Sequence, residues 1–129
     1  MRWPPDWFYL IWVIAMLMMN KPSIFIYISD ARTDLLHEIC AGIEEEGVPY
    51  EVREMPVQDV DALAYAAAEE SVLGSGIGIA GDTAAMQLRK IPKGQNIFKI
   101  VHPGREQCRA LGANSARAVK RQKFKGNDV

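Results

Sequence analysis

The residue order predicts an α/β fold: a single three-layer domain with a mainly parallel sheet of 4–5 strands flanked by helices, Rossmann-like but without a functional dinucleotide fingerprint. Three observations carry this. Short apolar runs rich in β-branched residues recur at 24–28, 76–80 and 96–101. Helical patterns alternate with them at 33–46, 59–70 and 105–120. A chain of 129 residues, 49% hydrophobic and 24% charged, has the size and composition of one globular domain.

Each element has its own signal. Ile24-Phe25-Ile26-Tyr27-Ile28 is a continuous apolar run and reads as a buried strand. Ser29, Asp30 and Thr33 supply turn and N-cap chemistry before a helix over Thr33–Glu46. Leu35, Leu36, Ile39, Cys40 and Ile43 form the apolar stripe of that helix, and Gly47 is its stop. Val48–Arg53 is short and partly polar, as an edge strand should be. Asp59–Glu70 is Ala-rich and helical by propensity. Gly76–Ala80 is a buried strand, and Gly81-Asp82 is a hairpin signal that turns Thr83–Leu88 back antiparallel, with a helix over Thr83–Lys90 as the rival. Pro92 and Gly94 make 91–95 a loop, Asn96–Val101 is a strand, and Arg105–Lys120 is the last helix.

Charge and cysteines narrow the function classes. A net charge of −1 offers no global basic field, so no nucleic-acid partner is expected. Cys40 and Cys108 lie in helical patterns without a CxxC partner, which indicates neither a zinc site nor a disulfide framework. A cytoplasmic compartment is the simplest expectation. Residues 1–20 differ from the rest: they hold all three tryptophans, and Trp7–Met19 is an unbroken apolar run. The run is short for a membrane span and lacks a clear cleavage site. It reads first as a spurious upstream start or a disordered extension, with Met18 or Met19 as a natural start. An anchor to a membrane or shell comes second and a secretory signal third; no membrane partner is expected. Residues 21–124 form the domain and 125–129 a polar tail.

Gly76-Ile77-Gly78-Ile79-Ala80-Gly81 matches GxGxxG formally. Its glycines alternate inside the strand instead of opening a helix, and the turn after the first strand has none. Glycines that let a helix pack closely are the better reading. His37 and His102 are the only histidines; His102 could sit at a strand's C-terminal end, where α/β sites form, but no Ser or Cys nucleophile context surrounds it. The basic residues Arg105, Arg109, Arg117, Lys120 and Arg121 read as the solvated face of the last helix.

Glu44-Glu45-Glu46 is the sharpest anomaly, because three carboxylates in the last turn of a helix oppose its macrodipole. Solvent screens them, or they await a cation: a metal or a partner's basic face. At about 100° per residue, Asp34, Glu38 and Glu45 share a face with Ala41 and Gly42 between them. Those small residues let another backbone or a metal come close, although on the residues alone a solvated acidic face is the first reading and a site the second.

Gly42-Ile43-Glu44-Glu45-Glu46-Gly47-Val48-Pro49 resembles the GIEEEG(I/V)P segment of the small subunit of diol and glycerol dehydratase reactivases. Leu111-Gly112-Ala113-Asn114-Ser115-Ala116-Arg117-Ala118-Val119-Lys120 resembles that family's LGANAxxxVK helix, and Ser71-Val72-Leu73 followed by Gly76–Ile79 is similar to its SSPLxVGIG stretch, without the proline. The resemblance spans Pro22–Phe124 and leaves residues 1–20 without a counterpart.

The resemblance implies a non-catalytic, chaperone-like subunit. Its partners would be a large actin-like ATPase subunit, in an α2β2 complex, and transiently the large subunit of an adenosylcobalamin-dependent dehydratase. Such a subunit resembles the dehydratase's own medium subunit and exchanges with it, so that damaged cobalamin leaves; ATP or ADP is bound by the large subunit, not by this chain. The middle glutamate of the triplet is associated there with Mg²⁺ at the subunit interface, which points to Glu45 as metal ligand and to Asp34, Glu38, Gly42, Glu44 and Glu46 as its interface surroundings. Association with a bacterial microcompartment fits the same family. Two rivals remain: a small nucleotide-binding α/β enzyme using the glycine strand, and a divergent dehydratase medium subunit.

Overall fold

In the computed structural model, residues 6–19 and 22–121 are described. The expected tail at 125–129 and the outer ends of the N-terminal extension lie outside them. The element order is α1 (Asp6–Met19), β1 (Ile24–Ser29), α2 (Thr33–Glu45), β2 (Tyr50–Glu54), α3 (Val60–Glu70), β3 (Ser75–Ala80), β4 (Thr83–Leu88), β5 (Phe98–Val101) and α4 (Arg105–Val119). Helix α1 exposes Trp7, Phe8, Leu10 and Ile11. Among the described residues, no helix is long and apolar enough to cross a membrane.

One sheet of five strands, ordered β2-β1-β3-β4-β5, organises the domain. β1 is parallel to both β2 and β3, while β4 runs antiparallel to β3 and to β5. Four strands therefore share one direction and β4 alone is reversed, as the hairpin signal predicts. Ala80 pairs with Thr83 across the two-residue turn, where Gly81 takes φ +59°. Thr83–Leu88 is thus strand and not helix.

The layers follow from alternation along the strands. Ile24, Ile26, Ile77, Ile79, Ala84 and Met86 turn to one face and bury Leu35, Ile39 and Ile43 of α2 with Cys108, Leu111 and Ala116 of α4. Tyr27 and Ala85 turn to the other face, against Leu63, Ala67, Val60 and Ala64 of α3. The strand glycines serve this second layer. A Cβ on Gly76 would collide with the backbone of Ala67 and Ala68, and one on Gly78 with that of Ala64 and Val60. Close helix packing is what Gly76 and Gly78 of the GxGxxG pattern serve.

The helix ends show one departure. Asp59, expected as the first residue of α3, is its N-cap, its carboxylate accepting from Ala62 N–H at 2.7 Å. The N-cap of α2 is Arg32, with no side-chain cap bond; Ser29, Asp30 and Thr33 do not cap it. Asp30 instead takes φ +51° in the turn, and Arg32 N–H donates to the Gly81 carbonyl at 2.9 Å. The tie between the β1–α2 turn and the β3–β4 hairpin fixes the chain one residue before the expected cap.

Candidate functional site

Helices α2 and α4 lie side by side and point the same way, since Glu38 meets Arg105 while Glu46 meets Lys120. Their crossing is made by two glycines. A Cβ on Gly42 would strike the carbonyl of Arg109 and come 2.9 Å from Ala113 N, and one on Gly112 would strike the carbonyl of Ile39. The small residues between the acids of α2 therefore do admit another backbone, and it is the chain's own α4. Ser115 Oγ donates to Gly112 O at 2.7 Å and Ser75 Oγ to Ser115 O at 3.2 Å, so the buried hydroxyls under this crossing are paired.

Close approach aligns an acidic edge with a basic one. Glu38 Oε1 accepts from Arg105 Nε at 3.0 Å, and its Oε2 accepts from Arg109 Nε at 3.1 Å and Nη2 at 2.8 Å. Arg109 Nη1 also reaches Glu45 Oε1 at 2.6 Å, so one guanidinium spans two turns of α2. Glu46 accepts from Arg117 Nε at 3.2 Å and Lys120 Nζ at 2.9 Å. Lys120 further donates to the Glu46 carbonyl at 2.8 Å, which places a cation on the C-terminus of α2. The expected solvated face of the last helix is corrected here: Arg105, Arg109, Arg117 and Lys120 turn to α2.

The electrostatics follow from these pairs. Donation by Arg109, with the charge of Arg105 beside it, holds the Glu38 carboxyl below the usual carboxylate range. Lys120 and then Arg117 do the same for Glu46. For Glu45 and Glu46 the misfit of acids at a helix end is thus answered by cations within the chain.

The sequence-predicted residues divide. Glu38, Gly42, Glu45 and Glu46 come together on the seam. Glu44 does not: it turns toward β2 and accepts from Tyr50 Oη. Asp34 lies at the start of α2 in an ion pair with Arg32. Exposure separates the seam acids, because the Glu45 side chain is 40% exposed, against 18% for Glu38 and 9% for Glu46. Glu45 is the seam carboxylate that another molecule can reach. Its hard oxygen donors suit Mg²⁺, which protein sites hold with one or two carboxylates plus other oxygens. Among the described residues no group of three or more His, Cys, Asp or Glu side chains could hold a metal ion.

Sequence reasoning missed the partners of these acids. The signal was present: cations at 105, 109, 117 and 120 bracket Gly112 much as acids at 38, 45 and 46 bracket Gly42. His102 adopts φ +48° and pairs with Asp82 at the hairpin, exposed to solvent. A cleft of about 300 Å³ beside it is lined by Arg32, Asp34, Glu38, Arg105 and Cys108, with both arginines engaged by carboxylates. Burial pushes the Cys40 and Cys108 thiols up, away from thiolate chemistry.

The fold and the seam define a small α/β module whose most developed feature is a charged helix pair. A family model described as dehydratase medium subunit matches residues 21–125. The chain belongs to that family. It is 32% identical over 103 residues to the propanediol dehydratase-reactivating factor small subunit of Citrobacter freundii, covering 79% of this chain and 89% of that one. It is 32% identical over 102 residues to the diol dehydratase-reactivating factor small subunit of Klebsiella michiganensis, covering 78% and 82%. Among solved structures, a diol dehydratase-reactivating factor complexed with ADP and Mg²⁺ aligns at TM-score 0.77 and 31% identity, covering 81% of this chain and 97% of its own. A glycerol dehydratase reactivase aligns at TM-score 0.77 and 27% identity. The motif resemblance thus extends across the domain.

Proposed function

We propose that this chain is the small subunit of a reactivating factor for an adenosylcobalamin-dependent diol or glycerol dehydratase. One observation carries the proposal: likeness to a reactivating-factor small subunit over 89% of that protein's length, with the Glu44-Glu45-Glu46 helix end inside the matched region. In this reading the chain performs no chemistry. It exchanges with the dehydratase medium subunit, which belongs to the same family, and the opened enzyme loses its damaged cobalamin. The nucleotide belongs to a large actin-like ATPase partner in an α2β2 complex, and Glu45 supplies one carboxylate oxygen to Mg²⁺ between the subunits. The exposure of Glu45, at the edge of the Gly42–Gly112 crossing, supports that role. The complex works in the cytoplasm, beside or within a bacterial microcompartment.

The test is reconstitution. Dehydratase inactivated by substrate turnover is incubated with the large subunit, ATP, Mg²⁺ and fresh adenosylcobalamin. Adding this chain should restore turnover, and either subunit alone should not. Full recovery without this chain sinks the proposal.

A further inference from the structure

β2 bounds one side of the sheet, and no described strand lies beyond it. Two bonds fix how its backbone is turned. The Pro49 carbonyl accepts from Ile24 N–H at 3.0 Å, and Met55 N–H donates to the Ile28 carbonyl at 2.8 Å. Odd-numbered residues therefore direct their polar groups to β1. Polarity alternates along a strand, so the N–H and C=O of Tyr50, Val52 and Glu54 face outward.

The side chains alternate as well. Tyr50 and Val52 line a cleft of about 250 Å³ with Leu36, His37 and Cys40 of α2. Glu51 and Arg53 lie on the opposite face, where Arg53 Nη2 is 3.3 Å from Glu51 Oε1 and the guanidinium stands 4.6 Å from the Phe25 ring centre. Both side chains are about half exposed, so their mutual pair is weakly held and exchangeable.

Edge strands commonly carry charge to refuse other strands. These charges refuse most strands and accept their own copy. In an antiparallel pairing centred on Val52, Val52 meets the partner's Val52 and Tyr50 meets the partner's Glu54. Both are hydrogen-bonded positions that use the outward backbone groups. Glu51 then faces the partner's Arg53, and Arg53 the partner's Glu51, in the positions where side chains approach most closely. Shifting the centre by one residue sets Glu51 against Glu51 or Arg53 against Arg53, so the charges also fix the register.

We propose that β2 is a self-docking edge: two copies of this chain pair their β2 strands antiparallel about Val52 and join their sheets across a two-fold axis. The occupant is a second copy because the complementarity is that of a strand with itself. The α2 residues beside this edge are Thr33, Leu36, His37, Cys40, Ala41 and Glu44, and the seam acids Glu38, Glu45 and Glu46 are not among them. The inference is therefore independent of the reactivating-factor reading.

Sedimentation of the full chain tests it, with circular dichroism confirming that each variant is folded. The wild type should run at twice the 14.4 kDa chain mass. Arg53→Glu and Glu51→Arg should each give monomer, and the double swap Glu51→Arg/Arg53→Glu should restore the dimer. Val52→Pro should also give monomer, because its N–H is unused within the chain and proline is tolerated there. A monomeric wild type overturns the proposal. So does a dimer indifferent to the single swaps, as association through exposed α1 would be, or a double swap that stays monomeric.

Discussion

The two faces of the sheet are built on the same device and reach different ends. On each, glycines let a helix approach within backbone distance: Gly76 and Gly78 under α3, Gly42 and Gly112 between α2 and α4. The α3 face then fills with alanines and small aliphatic contacts, Ala64, Ala67 and Ala68 being fully buried. Around it lie a few polar ties, such as Asn96 Nδ2 donating to Asp61 Oδ1 at 2.6 Å and the Tyr27 hydroxyl donating to Glu70. The α2–α4 face closes its outer side with four cations against three carboxylates. Close packing alone is a structural device. On the α2–α4 face the close packing is topped by a charged seam, with Glu45 its most exposed carboxylate.

Filling either crossing should have the largest effect. Gly112→Val and Gly78→Val each push a side chain into helix backbone, so each should cost more than about 3 kcal/mol, read as a shift of the urea midpoint. If Gly112→Val is tolerated while Gly78→Val is not, the α2–α4 crossing is looser than described and the comparison breaks.

Acid should weaken the α2–α4 seam more gently. The Glu38 and Glu46 carboxyls titrate below their ordinary range when folded. Their stabilisation is therefore complete above an unfolded pKa of about 4.3 and is lost as pH falls through the lower folded values. The melting temperature should decline below that pH, and Glu46→Gln should flatten the decline while lowering stability at neutral pH. Leu63→Ala, on the α3 face, should lower the whole curve without changing its shape. Identical acid profiles for wild type and Glu46→Gln would place the acid sensitivity elsewhere.

Much of this architecture was legible in the sequence because local and global signals agree. The apolar run at 24–28, the Gly81-Asp82 turn and the Ala-rich stretch ending at Glu70 each specify one structure, and the structure has all three. The cap of α2 was not legible, because the bond from Arg32 N–H to Gly81 O joins segments 49 residues apart (81 − 32) and no local pattern reports it. The triplet was half legible. Its conflict with the helix dipole marked the place, and the helical wheel set Glu45 apart from Glu44. The answering cations lie on another helix, 71 residues away for both Glu38–Arg109 and Glu46–Arg117, and read in isolation they looked like an ordinary solvated face.

The most direct measurement is calorimetric titration of this chain onto a large reactivating-factor subunit in Mg²⁺. Wild type and Asp61→Asn, altered on the α3 face, should bind alike. Glu45→Gln should bind about tenfold or more weakly, a loss of roughly 1.4 kcal/mol or more. Equal affinity for wild type and Glu45→Gln would contradict the assignment of the seam as the contact with the partner.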